Sequence, residues 1–266
     1  MFSLKSIKTF LYINTILISL SFIEYCSSFS TYTNFSLIIF RNYLLIDLLD
    51  ISLNDKEYID KEKRQKPTEY FYREFDMYVL SSSLIEALSF NVIDKYYLTS
   101  SDITINDFVY FIPTSFMFEL IFDFFHYITH RLMHNNYIYQ YLHKSHHKFK
   151  YPTSIITFYQ HPIDLIITNI FPTFMTLFII NNFNEHKMTL FTFKMISTYL
   201  KFIEISGHTG KHFNGSSFPQ FFWIPKLFCI KLTTEEHDLH HSINNCNYSK
   251  RFILWDKIFR TYKKSS

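Results

Sequence analysis

Apolar stretches that approach the thickness of a bilayer constrain the fold of this chain more than any other feature. A hydrocarbon core of about 30 Å requires about 20 helical residues. One such stretch is commonly the core helix of a soluble protein, but five or six in one short chain favour membrane insertion. The sequence therefore predicts an all-α, multi-span membrane protein. The stretches are 7–24, 75–93, 107–128, 155–180 and 189–207, with a sixth, charged one at 35–53 whose crossing stays open.

Lys and Arg are distributed unevenly between the segments that these stretches would connect. If all six cross and residue 1 is cytosolic, the cytosolic segments are 1–6, 54–74, 129–154 and 208–266. The loops on the opposite side then hold only Lys95 and Lys187, whereas the cytosolic segments hold most of the other basic residues. Cytosolic loops of membrane proteins carry this excess of Lys and Arg, so both chain ends are predicted to be cytosolic.

The last two stretches form an out-and-back pair, so the segments before 155 and after 207 lie on the same face. The chain ends in Lys263-Lys264-Ser265-Ser266. A dilysine on a cytosolic tail is typical of a retrieval address of the endoplasmic reticulum. The sequence thus predicts an endoplasmic reticulum membrane protein with two parts. Residues 1–106 form N-terminal spans and a charged cytosolic loop, and residues 107–266 form a catalytic domain with three further spans and a cytosolic histidine-rich cap.

Histidine is the most unusual component of the chain, with thirteen residues and none before residue 126. Most of them fall into strings in which histidines are three or four residues apart. Residues with this spacing share one face of a helix, so each string can direct several imidazoles at one point. The strings are His126, His130 and His134; His143, His146 and His147; His208 and His212; and His237, His240 and His241.

Neutral imidazole binds iron, copper, nickel and zinc. Structural zinc sites have four ligands, usually including cysteine, and the three cysteines of this chain form no CxxC pair. Ten histidines are too many for one ion, and the adjacent pair in each HxxHH string can turn toward two ions. The sequence therefore predicts two metal ions with five imidazoles or slightly fewer each. The predicted ligands are His130, His134, His143, His146, His147, His208, His212, His237, His240 and His241.

Imidazole ligands usually donate their other N–H to a carboxylate or a carbonyl. Candidates for such contacts lie within or near the strings, although each acidic candidate is equally compatible with a solvated surface position. His186 is interpreted as an ordinary core or surface residue. The formal net charge of +3 is too small to indicate a nucleic-acid partner. The contact candidates are Asp123, His126, His161, Glu204, Glu236 and Asp238.

These strings resemble the fatty acid hydroxylase/sterol desaturase superfamily. The likeness runs from about Phe122 to Tyr262 and includes His161-Pro162 and, at the end, Trp255-Asp256-Lys257-Ile258-Phe259. The first string is similar to that of methylsterol monooxygenases, and the last to that of cholesterol 25-hydroxylases. Two departures are His212, which stands in a string different from that of the sterol oxidases, and Arg260, where a glycine is common.

The resemblance implies two non-haem iron ions, dioxygen, and electrons from NAD(P)H through a membrane reductase or cytochrome b5. It implies hydroxylation of a lipid, with a sterol favoured over a fatty acyl group. Desaturation or epoxidation within the same superfamily stays open. A metal transporter would place histidines or carboxylates along a path inside the spans, and a structural protein would have degenerate strings. The histidines here lie mostly at span ends and in cytosolic segments, so both alternatives are less favoured.

Overall fold

In a computed structural model, residues 4–27, 30–60, 69–99, 102–183, 187–212 and 217–265 are described. Extended structure within these residues is limited to three isolated bridges, so the prediction of an all-α fold is confirmed. The α-helices are α1 (Leu4–Cys26), α2 (Thr31–Ser52), α3 (Glu69–Tyr97), α4 (Ile105–Val109), α5 (Phe111–Met133), α6 (Asn136–Leu142), α7 (Pro162–Leu165), α8 (Phe171–Phe183), α9 (Leu190–Gly207), α10 (Trp223–Leu227), α11 (Thr234–Ile243) and α12 (Leu254–Ile258).

Short 3₁₀ and π-helical turns join these helices around the histidines. Three 3₁₀ turns span His146–Lys148, Ser154–Phe158 and Pro219–Phe221. A π-helical turn at Ile166–Ile170 joins α7 to α8, so the two form one continuous helical rod. Such turns are frequent at functional sites, because they release backbone carbonyls from the regular helical pattern.

Each predicted apolar stretch is largely helical, but two of them are divided. The stretch 107–128 is shared by α4 and α5, and the stretch 155–180 is interrupted before Pro162. The helical rod starts at Pro162, which occupies the first helical position, and His161 Nδ1 accepts a hydrogen bond from the Ile163 N–H. Proline is favoured at that position because its missing N–H would have no helical partner there. Residues before His161 therefore belong to a separate 3₁₀ turn, and the prediction of one helix from 155 is corrected.

Two helical segments of the described residues are long and apolar enough to cross a bilayer, Ile7–Cys26 and Pro162–Phe183. The other long helices do not meet this condition, because they carry charged residues in their interiors. Arg41 of α2 and Lys194 of α9 are both buried within the bundle. The six predicted spans are thus six helical regions, of which two have the composition of a simple span.

The bundle packs α1 against α9, α2 against α3, and α5 against α8. Its core is apolar, with Leu45, Phe118 and Ile196 almost fully buried. Burial of such side chains contributes about 1.5–3 kcal/mol each. This packing fixes the C-terminal ends of α5 and α9, from which the first histidines extend.

The loops gather at two opposite ends of the bundle. At one end, the Ile59 N–H donates to the Gly210 carbonyl at 2.9 Å, which joins the loop after α2 to the segment after α9. At the other end, the Thr99 N–H donates to the Met188 carbonyl at 3.0 Å. The histidine strings lie at the first of these ends, because His208 directly caps α9.

Candidate metal centre

The first histidines lie in the last turns of α5. His126, His130 and His134 follow one another at intervals of four residues and therefore share one face of the helix. The ring centroids of His126 and His130 are 5.0 Å apart, and those of His130 and His134 are 5.1 Å apart. His134 is the residue that caps the helix, so this string follows the helix axis to its end.

The second string follows α6, whose N-terminus is capped by the Asn135 side chain. His143 ends α6, and the chain then tightens into the 3₁₀ turn that contains His146 and His147. The rings of these two adjacent residues are perpendicular, at 90°. Neighbouring imidazoles in one turn can therefore face different partners.

The third string lies on α11, which begins with a capping box between Thr233 and Glu236. Glu236, a candidate contact for an imidazole, is therefore used to start this helix. Asn244 ends it in the left-handed conformation, with φ of 66°, which asparagine tolerates better than most residues. The rings of the adjacent His240 and His241 are inclined at 82°, so this pair also diverges.

Nine of the ten predicted ligands converge at this end of the bundle, and they form two groups. Within each group, one nitrogen of every imidazole lies within 4.8 Å of the others. His237 adjoins the second group, because its Nε2 lies 3.1 Å from His208 Nε2. Each adjacent pair is divided between the groups. The first group is His130, His134, His143, His147 and His240, and the second is His146, His208 and His241.

The hydrogen bonds of the first group define which nitrogens are free to bind a cation. His130 Nδ1 donates to the Tyr248 carbonyl at 2.8 Å, and His240 Nδ1 donates to the Cys246 carbonyl at 2.7 Å. In neutral imidazoles this leaves both Nε2 atoms with lone pairs. These two Nε2 atoms lie only 3.2 Å apart with no proton to share. A cation between them removes this repulsion, so the donor set fits a metal ion.

The second group has the same character. His208 Nδ1 donates to the Glu204 carbonyl at 2.7 Å, so its Nε2 lone pair faces His146 Nε2 at 3.4 Å. Both nitrogens of His241 are buried without a hydrogen-bond partner in the described structure. Buried polar atoms are rarely left without a partner, and a second cation would satisfy them.

Burial keeps these imidazoles in the form that binds metals. It lowers the pKa of His208 to about 4 and that of His240 to about 3, because the charged form loses its hydration. Burial also holds the pKa of His237 and His241 well below the ordinary value. At neutral pH, these four imidazoles are therefore uncharged before a metal arrives.

Asp164 contacts the centre directly, although the sequence did not single it out as a candidate. Its fully buried Oδ2 accepts a hydrogen bond from His143 Nδ1 at 2.7 Å. It lies in the first turn of α7, three residues after His161. A carboxylate beside His161-Pro162 at the start of an apolar stretch was the available signal, since a buried acid in such a stretch requires a partner.

Among the predicted contact residues, His126 and Glu204 both lie beside the centre, but only Glu204 contacts an imidazole of the two groups by a hydrogen bond. His126 Nδ1 is 2.6 Å from the carbonyl of Thr168 in the π-helical turn. Glu204 contacts a ligand through its backbone carbonyl, while its side chain pairs with Lys250 at 2.6 Å. Asp238 is buried in α11, between His237 and His240 in the sequence.

Four other residues from the sequence analysis lie outside the two groups. The side chain of His212 is 57% exposed and pairs with Glu235, so it joins neither group. Asp123 accepts hydrogen bonds from backbone N–H groups of residues 250–252 instead of from an imidazole. His161 caps α7, and His186 lies outside the described residues.

Sequence comparison identifies the family. The profile of the fatty acid hydroxylase family matches residues 115–261, which is more than half of the chain. The chain belongs to the fatty acid hydroxylase family. It is 28% identical over 145 residues to a C-4 methylsterol oxidase of Schizosaccharomyces pombe, and 29% over 152 residues to a fatty acid hydroxylase of Lecanicillium sp. It is 30% identical over 141 residues to methylsterol monooxygenase 1 of Rattus norvegicus.

These alignments cover 54%, 54% and 52% of this chain, but only 45%, 40% and 43% of the three relatives. No solved structure is significantly similar to the chain. The family prediction is confirmed, and the matched region contains every histidine of the two groups. Members of this family are iron-dependent, and the clustered imidazoles are able to bind such a metal.

Proposed function

We propose that this chain is a membrane-bound, non-haem di-iron oxygenase that hydroxylates a lipid. The observation that carries the proposal is the convergence of eight imidazoles, seven of them buried, into two adjacent groups. All-imidazole sites with open positions suit iron that reacts with dioxygen better than they suit structural zinc. A family whose members depend on iron supports the same choice.

Two iron ions held by these groups would supply oxidation of an unactivated C–H bond by dioxygen. The protein contributes orientation. The Tyr248 and Cys246 carbonyls and the Asp164 carboxylate fix three imidazoles of the first group, so their lone pairs face one point. Such contacts raise the basicity of the ligands and hold their geometry.

A lipid environment is supported by the outer surface of the bundle. Along α3, Leu80, Leu84, Leu88 and Val92 are exposed and form a stripe at intervals of four residues. A continuous apolar surface of this kind is unusual in water-soluble monomers and typical of contact with another apolar phase. The proposal therefore includes insertion into the membrane through several helices.

The histidine end of the bundle is proposed to face the cytosol, as the distribution of Lys and Arg indicates. The proposed location is the membrane of the endoplasmic reticulum. Electrons would come from NAD(P)H through cytochrome b5 or another membrane reductase. None of these partners is needed to bind the metals, so metal binding can be tested alone.

The substrate is proposed to be a lipid, either a sterol or a fatty acyl compound. The relatives include enzymes named for each class, at almost equal identity. Hydroxylation is the proposed reaction. Lipid profiling of cells that lack the protein tests the substrate: accumulated methylsterols indicate one class, and accumulated non-hydroxylated acyl lipids indicate the other. A product that carries a new double bond or epoxide would replace hydroxylation as the reaction.

Iron content and turnover of one pair of variants test the centre. His146 belongs to the second group, whereas His212 is exposed outside both. We expect purified protein to hold about two iron ions and His146→Ala to lose turnover and part of its iron. His212→Ala should keep both, and both variants should insert into membranes. Full activity of His146→Ala, or wild-type protein free of transition metal, would contradict the proposal.

A further inference from the structure

Two buried tyrosines extend from the first imidazole group toward the surface of the protein. The Tyr248 ring packs against three imidazoles of that group. Its centroid lies 5.9, 5.2 and 5.6 Å from those of His130, His134 and His240. The Tyr127 ring follows at 6.0 Å and is inclined to Tyr248 by 83°. The two rings therefore form a continuous aromatic contact that begins at the imidazoles.

Beyond Tyr127, the aromatic contacts reach solvent at Phe259. The Phe259 ring stacks on Tyr127, with centroids 5.0 Å apart and 14° between the ring planes. Phe259 is 42% exposed. All of these separations lie in the range of ordinary aromatic pairs. Aromatic rings in contact in this way provide a route for an electron between the metal centre and the surface.

The Tyr127 phenol also begins a chain of hydrogen bonds that ends at a carboxylate. Because a carboxylate can only accept, the Thr261 hydroxyl donates to Asp256 Oδ1 at 2.7 Å. The Tyr127 hydroxyl must then donate to Thr261 Oγ1, at 3.1 Å, and it accepts a hydrogen bond from Arg131 Nη1 at 3.1 Å. A phenol, a hydroxyl and a fully buried carboxylate are thus aligned as donor, relay and acceptor of a proton.

This alignment matters for the redox chemistry of a phenol. Tyrosine is one of the side chains that lose an electron most readily, but the oxidised phenol is strongly acidic and must also lose its proton. In a buried position this proton needs a nearby acceptor, because an isolated charge is costly there. Tyr127 has such an acceptor in Asp256, as well as an aromatic contact path to the imidazoles.

We propose that Tyr127 is a redox-active tyrosine that reduces the metal centre when dioxygen reacts there without a bound lipid. The inference rests on the proposed function, because an oxidant able to attack an unactivated C–H bond attacks its own imidazole ligands when no lipid is present. Tyr127 gives one electron to the centre across the Tyr248 ring. Its phenolic proton moves to Thr261 Oγ1, whose own proton moves to Asp256. The centre gains one electron, and Tyr127 becomes a neutral phenoxyl radical.

The radical is returned to tyrosine from the surface. A cytosolic thiol gives one electron through the exposed Phe259 ring, releases its own proton to water and becomes a thiyl radical. The proton held by Asp256 returns through Thr261 to the phenoxyl oxygen. Each discharge therefore consumes one external electron and leaves every protein group in its original protonation state.

Rapid-freeze electron paramagnetic resonance tests this inference on the purified, iron-loaded protein in detergent. Hydrogen peroxide, added without lipid or reductase, supplies the oxidant. We expect a phenoxyl signal in the wild type that narrows when the protein contains ring-deuterated tyrosine. Tyr127→Phe should lose the signal. Thr261→Val, which interrupts the proton relay, should also lose it, and Thr261→Ser, which keeps the hydroxyl, should recover it.

Tyr139→Phe is the matched control. The Tyr139 ring also lies near the first group, 5.6 Å from the His134 ring. Its phenol is hydrogen-bonded to the Asn244 amide, at 3.4 Å, instead of to a relay that ends at a carboxylate. Tyr139→Phe should therefore keep the wild-type signal. A signal that is lost in Tyr139→Phe and kept in Tyr127→Phe would overturn the inference.

Oxidation of histidine provides a second measurement that does not require the radical to be trapped. After the same peroxide treatment, mass spectrometry should find more oxidised histidine in Tyr127→Phe than in the wild type or in Tyr139→Phe. Iron content and the optical change on addition of peroxide are recorded for every variant. Equal histidine oxidation in iron-replete wild type and Tyr127→Phe would overturn the inference, while an iron centre that reacts with peroxide would still support the proposed function. Protein that binds no iron would contradict the proposed function and the inference with it.

Discussion

Asp164 is the residue whose substitution best tests how the first imidazole group is oriented. Its carboxylate fixes the His143 ring so that Nε2 keeps its lone pair toward the group. Asp164→Asn replaces this carboxylate with a weaker, neutral acceptor that can also rotate its amino group toward the ring. Iron affinity should fall by about 10–100-fold while the helices remain folded. Competition with a chelator measures the affinity, and Asp102→Asn, at an exposed position, serves as the control.

The buried imidazoles also predict how stability depends on pH. The folded-state pKa values of about 4 for His208 and about 3 for His240 lie below the unfolded value of about 6.5. The unfolded chain therefore binds more protons between these values, and stability is lost as the pH falls through that window. Iron binding has the same direction, because protons compete for the ligands. Iron content and unfolding temperature should be constant from about pH 7 to 8 and should decrease together below about pH 6.5. An iron content and an unfolding temperature that are the same at pH 5 as at pH 7.5 would contradict this prediction.

Spacing along the chain predicted most of the residues at the centre, because imidazoles three or four apart on a helix necessarily share a face. It could not predict that the pairs His146–His147 and His240–His241 would divide in the observed way, since that depends on a 3₁₀ turn and on helix packing. The position of His212 outside both groups could not be predicted for the same reason. The backbone N–H of His212 donates to the Glu57 carbonyl, and its side chain points away from the groups.

At the scale of elements, α5 and the segment after α11 depend on each other through Asp123. This buried carboxylate accepts the N–H groups of residues 250, 251 and 252 at 2.7, 2.9 and 3.0 Å. Asp123→Ala would leave three buried donors unpaired, at a cost of about 3 kcal/mol or more. We expect a lower unfolding temperature and faster proteolysis near residue 250. Asp47→Ala, on an exposed part of α2, should change neither; equal stability of the two variants would show that α5 does not hold this segment.

Helix positions were predictable from apolarity, and helix ends were less so. In the sequence, residues 155–180 form one apolar segment. In the structure, the helix begins only at Pro162, so its N-terminal boundary lies seven residues later than the start of the segment. In α9, buried charges lower the apolar character below that of a simple span. Lys201 in α9 pairs with Glu204 at 2.9 Å. The spacing of three residues suggests this pair from the sequence, but the burial of both side chains follows only from the packing of the bundle.

At the scale of the whole molecule, tertiary contacts agree with the alternating path predicted from loop charge. Tyr25 at the end of α1 packs on Phe191 at the start of α9, with ring centroids 5.5 Å apart. Phe10, near the start of α1, packs on Trp223 at 5.7 Å. The end of α1 and the start of α9 thus share one end of the bundle, and the start of α1 lies at the histidine end. A charge rule for loops could indicate this arrangement, but it could not supply the contacts that fix it.

The two exposed cysteines lie in segments that the loop charges predict on opposite sides of the membrane, and they provide a test of orientation. Cys26 ends α1, beside the start of α9, whereas Cys229 lies in the segment 208–266, which is predicted to be cytosolic. In sealed microsomes, whose outer face is cytosolic, a membrane-impermeant maleimide should label Cys229 and should label Cys26 only after permeabilisation. Cys26→Ser and Cys229→Ser assign each signal, and the buried Cys246 should stay unlabelled in both. Labelling of Cys26 but not Cys229 in intact microsomes would reverse the orientation, and equal labelling of both would mean that the bundle does not separate two aqueous compartments.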